Sequence, residues 1–225
     1  MNEIAITIPL RSGGGKQVRA LALQLQQESR GTTHLQQASL WLHETRTGQE
    51  RAILYRRWDE QITTHQGHDG WIIDALRPAS DLSFRVDDLE AELVYSWDSP
   101  TFDGSQSYDT GACSLRLLPH AIEKVEDDAR LLQSLATYDS ALEEVGFQRI
   151  RNWVQRDPEG DSFLTIYNEA LDLRAAFHAW PKTAIAIDQW TRNEARALSG
   201  EDEELWEDLL SVERILTWGT DTTPP

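Results

Sequence analysis

His43 and Arg57 are the two side chains of this sequence whose types best suit acid–base chemistry. An imidazole, with an ordinary pKa of ~6.5, can take a proton from a substrate, and a guanidinium can stabilise the negative charge that results. We therefore predict both as catalytic residues. The structural alternative is that His43 lies in the interior and only makes hydrogen bonds. Arg57 and Glu169 would then form an ion pair that fixes the register of the two copies.

His43 and Arg57 lie in two segments that read as the strands of one hairpin, joined by a turn at Gly48. Strand side chains alternate between faces, and the face that carries His43 mixes aromatic rings with hydrogen-bonding groups, as ligand pockets do. The opposite face is apolar and is expected to pack against helices. The predicted substrate-binding residues are Trp41, Tyr55, Trp153, Gln155, Tyr167 and Glu169. Simple filling of the interior by these rings is the alternative to ligand binding.

The hairpin occurs twice in the chain. LWLHETRTGQERAILY is matched by NWVQRDPEGDSFLTIY, so that Trp, Gly and Tyr recur with one constant offset, from positions 41, 48 and 55 to positions 153, 160 and 167. Such self-similarity indicates an internal repeat. The copies differ at two inward positions, because His43 corresponds to Gln155 and Arg57 to Glu169. One copy therefore holds a titratable base where the other holds an amide.

The elements around each hairpin predict a β-α-β-β-α-β order in each half. A strand over residues 3–10 precedes a helix whose buried face carries Val18, Leu21, Ala22 and Leu25, and a strand over 113–118 precedes a helix that becomes irregular near Tyr138. The second helix is predicted at Trp71 to Leu76 in the first half, and at Ala184 to Leu198 in the second. Each half ends in a strand, at Trp97 and Trp218, and an acidic helix over 201–210 is an insertion.

The predicted fold is therefore α+β: tandem duplicated ferredoxin-like βαββαβ units that form a single-chain, dimeric-type α/β barrel. The first repeat is expected over residues 1–97, a linker over 98–111 and the second repeat over 112–220. Two facing sheets would cover each other's bare faces, so that a monomer is expected. A homodimer formed through the outer faces is the alternative to the monomer that the sequence leaves open.

The segment YRRWDEQITTHQGHDGW, in the first half, resembles the antibiotic biosynthesis monooxygenase family. Its Tyr55, Trp58, Asp59-Glu60 and His65 follow the order of that family over residues 3–97. In the second half Asn168-Glu169-Ala170 replaces the Arg-Arg-Trp segment, and the sequence is similar to the wider dimeric α/β-barrel superfamily. The resemblance implies a lumen that holds a flat aromatic ligand, and the superfamily includes both cofactor-free oxygenases and haem proteins.

Composition excludes several classes of function. The chain of 225 residues carries a formal charge of -17, which opposes binding to nucleic acid. It has no apolar run long enough for a membrane span and no apparent signal peptide, and its single cysteine, Cys113, cannot form an internal disulfide. A cytoplasmic location is therefore expected. No metal site is expected, although His65, His68 and Asp69 are closely spaced.

Three functions remain open at this stage. The first is a small-molecule-binding barrel, acting as a cofactor-independent monooxygenase on a flat aromatic compound, with His43 as the base and Trp41 and Trp153 sandwiching the ring. The second is a haem-binding barrel with His43 as the axial ligand. The third is a non-enzymatic scaffold with a filled interior, whose acidic surface, including residues 201–208, serves a protein partner.

Overall fold

The computed structural model describes residues 2–28, 35–45, 48–58, 70–81, 90–156, 162–183, 197–200 and 212–219. Its strands are β1 (Asn2–Pro9), β2 (Leu35–Glu44), β3 (Glu50–Trp58), β4 (Glu90–Asp98), β5 (Asp109–Leu117), β6 (Phe147–Arg156), β7 (Ser162–Ala170) and β8 (Glu213–Gly219). Its helices are α1 (Gly14–Glu28), α2 (Gly70–Leu76), α3 (Ala121–Gln133), α4 (Ala136–Val145) and α5 (Leu173–Ala179).

The strands form two four-stranded antiparallel sheets. In the first sheet the order is β1-β3-β2-β8, and in the second it is β5-β7-β6-β4. Both sheets are therefore built to one plan, with a hairpin in the centre, an edge strand that precedes the hairpin in sequence, and a second edge strand. The predicted α+β class is confirmed, and this arrangement is consistent with the ferredoxin-like fold.

The last strand of each half lies in the sheet of the other half. β4 pairs with β6, where Leu93 faces Trp153, and β8 pairs with β2, where Leu40 faces Leu216. The sequence predicted both strands but not this exchange. An alternating pattern shows which face of a strand is buried, but it does not show which strand pairs with it. The predicted boundaries at 97 and 112 stay a prediction; in the structure β4 ends at Asp98 and β5 begins at Asp109.

The first hairpin forms where the sequence predicts it. Its turn closes with hydrogen bonds from the Thr45 amide to the Gln49 carbonyl (2.8 Å) and from the Gly48 amide to the Thr45 carbonyl (2.9 Å). Gly48 has φ +78°, a conformation that side chains other than glycine's disfavour, so the predicted glycine turn is confirmed. Gly160, its predicted counterpart, lies outside the described residues.

Helix α1 covers the outer face of the first sheet. Its Val18 and Ala22 are buried together with Leu40 and Leu42, which confirms both the predicted helical face and the predicted apolar face of the hairpin. Full burial of a side chain such as Val18 contributes about 1.5 kcal/mol or more. The side chains that remain on the other face of the hairpin are thereby directed at the second sheet.

The helices of the second half are only partly as predicted. The irregularity near Tyr138 is a break at Ser134 and Leu135, which divides the helical segment into α3 and α4. Helix α5 was not predicted; it begins directly after β7, where the Asp172 carboxylate accepts a hydrogen bond from the Ala175 amide (2.8 Å) and caps it. The predicted helix over 184–198 lies outside the described residues except for its last two positions.

No helix within the described ranges has the length and apolar character needed to cross a membrane.

Candidate functional site

The inner faces of the two sheets pack directly against each other, and the strand registers divide this interior into layers. In the first sheet, His43 pairs with Arg51 near the hairpin turn, Trp41 with Ile53, and Ser39 with Tyr55. In the second sheet the matching pairs are Gln155 with Phe163, Trp153 with Thr165, and Arg151 with Tyr167. We call the layer of His43, Arg51 and Phe163 the hairpin end, and the opposite layer, with Glu3, Arg149 and Glu169, the charged end.

Four aromatic rings form a continuous column in the middle of the interior. The phenol rings of Tyr55 and Tyr167 stack with centroids 4.2 Å apart and planes 4° from parallel. Trp41 meets the ring of Tyr167 edge-on at 6.0 Å, and Trp153 meets that of Tyr55 at 6.1 Å. All four side chains are at most 1% exposed. The space between the two indoles is therefore occupied by the protein's own tyrosines.

Gln155 joins the two sheets. Its side-chain oxygen accepts a hydrogen bond from the Thr7 amide (2.7 Å), and its side-chain nitrogen donates one to the Thr7 carbonyl (2.9 Å). The hydroxyls of Thr7 and Thr165 also meet across the interface at 2.8 Å. Because β1 is an edge strand, its outward main-chain groups would otherwise lack partners, and Gln155 supplies them.

His43 holds the position in the first hairpin that Gln155 holds in the second, but it makes no comparable bridge. The side chain is 1% exposed, and neither ring nitrogen makes a hydrogen bond of good geometry within the described part of the chain, although the main chain of Ser114 lies close enough to interact with the imidazole. The Ser114 hydroxyl and the Trp41 indole N–H are likewise buried without a partner there. Buried polar groups are seldom left unpaired, so these three groups are candidates for contact with a further molecule.

Burial is the main reason that His43 remains neutral. Desolvation and then the positive charge of Arg51 lower its pKa to about 4, although the nearby main chain of Ser114 opposes the shift in part. At neutral pH the imidazole is therefore unprotonated, and it is a weaker base than an ordinary histidine.

Arg51 is the side chain at the hairpin end that sequence reasoning missed. It donates to the Ser114 carbonyl on the second sheet (2.9 Å) and to the side-chain oxygen of Gln49 (3.2 Å), and it lies 5.7 Å from the ring of Phe163. Gln49 is itself exposed. Two signals could have identified Arg51: it shares the strand parity of Tyr55, and it lies opposite His43 across the hairpin.

The charged end is a dense network of ion pairs. Arg151 binds the Glu3 carboxylate on the first sheet and, at 2.8 Å, the Asp98 carboxylate. Arg149 binds Asp98 at 2.8 Å, lies 3.7 Å from Glu169, and packs its guanidinium 4.1 Å from the Phe102 ring centroid. This network also joins the two sheets, and the sequence analysis had singled out only Glu169 among its members.

Each stacked phenol donates its hydroxyl proton toward a glutamate of the charged end. The Tyr55 hydroxyl donates to Glu3 (2.7 Å) and the Tyr167 hydroxyl to Glu169 (2.8 Å). Burial raises the pKa of both tyrosines well above the usual value, and the neighbouring glutamates raise it further. Burial also raises the pKa of Glu169, against the opposing effects of Arg149 and Tyr167.

The two predicted catalytic residues lie at opposite ends of the interior. Arg57 pairs with Glu3 in the register of β1 and β3, and it is close enough to Glu169 to lower the pKa of that carboxyl. His43 is at the hairpin end, where Arg51 is the neighbouring cation. The ion pair that the structure shows for Glu169 is with Arg149. The catalytic and binding roles assigned to these residues from sequence stay predictions.

Several solved structures are similar to this chain across nearly its whole length. An anthrone oxidase-like protein superposes with a TM-score of 0.51 at 12% identity, covering 99% of this chain and 94% of that one. A "putative monooxygenase" from Fusobacterium nucleatum subsp. nucleatum gives a TM-score of 0.46 at 4% identity, with 97% and 93% covered. A protein of the same description from Lactobacillus acidophilus gives 0.41 at 9% identity, with 96% of each chain covered.

No protein-family model matches the sequence, and no curated protein matches it significantly. At 12% identity the likeness to the anthrone oxidase-like protein shows the fold alone. That fold is consistent with the predicted ferredoxin-like one, and the tandem duplication and the closure of the barrel stay predictions.

Proposed function

We propose that this protein binds a flat aromatic compound at the hairpin end and oxidises it with molecular oxygen, without a cofactor, as a monooxygenase-type enzyme. One observation carries the proposal: the buried imidazole of His43, at a position where the other hairpin has a fully bonded amide, makes no hydrogen bond of good geometry within the described part of the chain and only approaches the main chain of Ser114. The name of the anthrone oxidase-like protein that shares the fold gives the proposal a reaction type.

The chemistry begins with a proton transfer. His43, neutral because its pKa is about 4, takes a proton from an activated methylene of the substrate. Arg51, which already lowers the pKa of His43, stabilises the resulting substrate anion. The anion then reacts with oxygen: one oxygen atom is retained as a carbonyl in place of the two methylene hydrogens, and the other leaves as water. The overall change, R₂CH₂ + O₂ → R₂C=O + H₂O, is balanced.

In this proposal the ligand lies beside Trp41 and not between the two indoles. The stacked phenols of Tyr55 and Tyr167 fill the space between Trp41 and Trp153. At the hairpin end, by contrast, the unpaired Trp41 N–H and Ser114 hydroxyl offer hydrogen bonds to a substrate oxygen. In this proposal Gln155 holds the sheets together, and Arg51 supplies the charge stabilisation that was first assigned to Arg57.

Haem does not fit this interior. A porphyrin bound through His43 is far larger than a three-ring compound beside Trp41, and it would need the adjoining layer, which is occupied by Trp41 packed against Tyr167. Separating the sheets far enough would break the bonds between Gln155 and Thr7. We therefore favour the cofactor-free reaction over the haem-binding alternative.

Oxygen consumption tests the proposal. Anthrone is a suitable probe because its methylene is acidic and its oxidation product, a quinone, absorbs strongly. We expect the purified protein to accelerate both oxygen uptake and quinone formation. His43→Gln should abolish the acceleration, and Arg51→Met should weaken it.

His178→Gln serves as the matched control, since His178 is exposed on α5, away from the two inner faces. It should leave the rate unchanged. Equal rates in His43→Gln and in the parent protein would rule out His43 as the base.

A filled scaffold is the second candidate, and the column of four buried rings favours it. The two candidates differ in tryptophan fluorescence, because a flat aromatic ligand beside Trp41 would quench part of it. Absence of quenching by any aromatic compound, with no oxygen uptake, would favour the scaffold. The acidic residues 201–208, assigned to partner binding, lie outside the described residues.

We also infer that the chain arose by tandem duplication and that its sheets close into a barrel. The matching layers support this inference, because Trp41 and Trp153, and Tyr55 and Tyr167, occupy corresponding register positions in the two hairpins. Contacts between the remaining edges support it as well: Arg214 of β8 donates to the Thr110 hydroxyl of β5 at 2.9 Å.

A further inference from the structure

The stacked tyrosine pair has a property that filling the interior does not require. Each hydroxyl donates to a carboxylate, at 2.7 and 2.8 Å, while the rings lie parallel with centroids 4.2 Å apart. Ring packing alone would be satisfied by phenylalanine. Burying two phenols and two carboxylates also costs the desolvation free energy of four polar groups.

The chemistry of phenol oxidation explains what this geometry can do. Removing an electron from a phenol makes its hydroxyl a strong acid, so oxidation is easy only where a base takes the proton at the same time. In an apolar interior water cannot act as that base. Glu3 and Glu169 are placed to do so, and a parallel neighbouring ring can share the electron deficiency.

We infer that Tyr55 and Tyr167, with Glu3 and Glu169, form a proton-coupled one-electron redox site. When a one-electron oxidant accepts an electron from the pair, the phenolic proton moves along the existing hydrogen bond to the glutamate. The balance is Tyr–OH + Glu–COO⁻ + oxidant → Tyr–O• + Glu–COOH + reduced oxidant. The inference does not depend on the oxygenase reaction, since the oxidant can be any metal complex of sufficiently high potential.

The electrostatics of the charged end agree with this role. The raised pKa of Glu169 means that this carboxyl accepts a proton more readily than an ordinary glutamate. Arg149 lies 3.7 Å from Glu169 and 4.0 Å from Glu3, so the site retains a compensating positive charge in both states.

Tyr95 provides a natural comparison within the same chain. It is 2% exposed and packs edge-on against Tyr138 at 6.1 Å, but its hydroxyl has no hydrogen-bond acceptor among the described residues. Asp139 is close enough to raise the pKa of Tyr95 but forms no hydrogen bond with it, so this phenol lacks a preformed path for its proton. The radical should therefore form on Tyr55 or Tyr167 and not on Tyr95.

The test is photochemical oxidation of the whole protein. Photogenerated tris(bipyridine)ruthenium(III) removes one electron, and the product is frozen and examined by electron paramagnetic resonance. Ring-deuterated tyrosine identifies the signal, because deuteration narrows a tyrosyl spectrum and leaves a tryptophanyl spectrum unchanged. We expect a tyrosyl signal in the parent protein, its loss in the double variant Tyr55→Phe with Tyr167→Phe, and no change in Tyr95→Phe.

A second pair of variants removes the proton acceptors and keeps the ring stack. The double variant Glu3→Gln with Glu169→Gln should also abolish the tyrosyl signal. It tests the inference if the double phenylalanine variant fails to fold. A signal that persists in the double phenylalanine variant, or one that disappears in Tyr95→Phe, would overturn the inference. So would a signal of full size in the double glutamine variant.

Discussion

The side chain of Gln155 binds both the amide and the carbonyl of Thr7, at 2.7 and 2.9 Å, and so takes the place of a neighbouring strand at the open edge of β1. Gln155 itself is fully buried. The two sheets are thus joined here by two hydrogen bonds between one pair of residues.

Gln155→Met should destabilise the protein strongly, because it leaves the main-chain groups of Thr7 buried and unpaired. Each such group costs about 1–3 kcal/mol, so we expect the free energy of unfolding to fall by about 3 kcal/mol. Urea denaturation followed by circular dichroism measures it. Gln17→Met, at an exposed position of α1, is the control and should change the value by less than about 0.5 kcal/mol. Equal effects of the two substitutions would contradict the bridging role.

His43→Gln should have the opposite effect on stability. It places an amide at the position that corresponds to Gln155, facing Ser114 where Gln155 faces Thr7, so the same bridge becomes available. We expect a gain of about 1 kcal/mol in the free energy of unfolding, with loss of any oxidase activity. A loss of stability in urea denaturation would show that His43 already makes a bond that the glutamine cannot replace.

Acidification should destabilise the protein through His43. Its pKa is about 4 in the folded chain and 6.5 when unfolded, so the unfolded state binds more protons between these values. Stability is therefore fully present above pH ~6.5 and declines as the pH falls toward 4, by up to about 3 kcal/mol. The measurement is urea denaturation at pH 7 and pH 5. His43→Gln should lose less stability than the parent between these pH values; identical losses would show that other groups cause the decline.

Removal of Arg151 should be far more costly than removal of a surface arginine. Arg151→Met leaves Glu3 without its guanidinium and takes a donor from Asp98, and breaking a buried ion pair of this kind costs about 3–5 kcal/mol. Arg130→Met is the matched control, because its pair with Asp127 is mostly exposed and should contribute less than about 1 kcal/mol. Thermal denaturation of both variants checks the difference.

The exchanged strands predict that the two halves depend on each other. If the chain is divided within the connection between β4 and β5, at residue 104, each fragment lacks the strand that completes its sheet. We expect the fragments to be poorly folded alone and to form a stable one-to-one complex when expressed together. Size-exclusion chromatography with circular dichroism measures both properties. Independent folding of the first fragment would show that β4 can pair within its own half.

The sequence predicts well those features that depend on local pattern. The alternation in the first hairpin places Trp41 and Tyr55 on the inner face, and the repeat relates them to Trp153 and Tyr167. Gly48 marks a turn because its φ is positive. In each case the information lies within a few residues of the feature.

Features that depend on pairing between distant segments are not predictable in this way. The pairing of β8 with β2 cannot be inferred from the local sequence, because either edge of either sheet presents the same main-chain groups. The role of Glu3 is hidden for the same reason: it follows from the approach of Arg151, 148 residues later. Arg51 is the exception, since its parity and its position opposite His43 were visible in the sequence.

The exchange of β4 and β8 also sets the order of events during synthesis. Ser39 on β2 meets Thr217 on β8, a partner that emerges from the ribosome 178 residues later. Until then the edge of β2 is bare, and a bare edge is a template for pairing with other nascent chains. Pairings so distant in sequence also form slowly. The last strand of the described residues is thus the one that completes the first sheet, and aggregation should be most probable in the interval before it is translated.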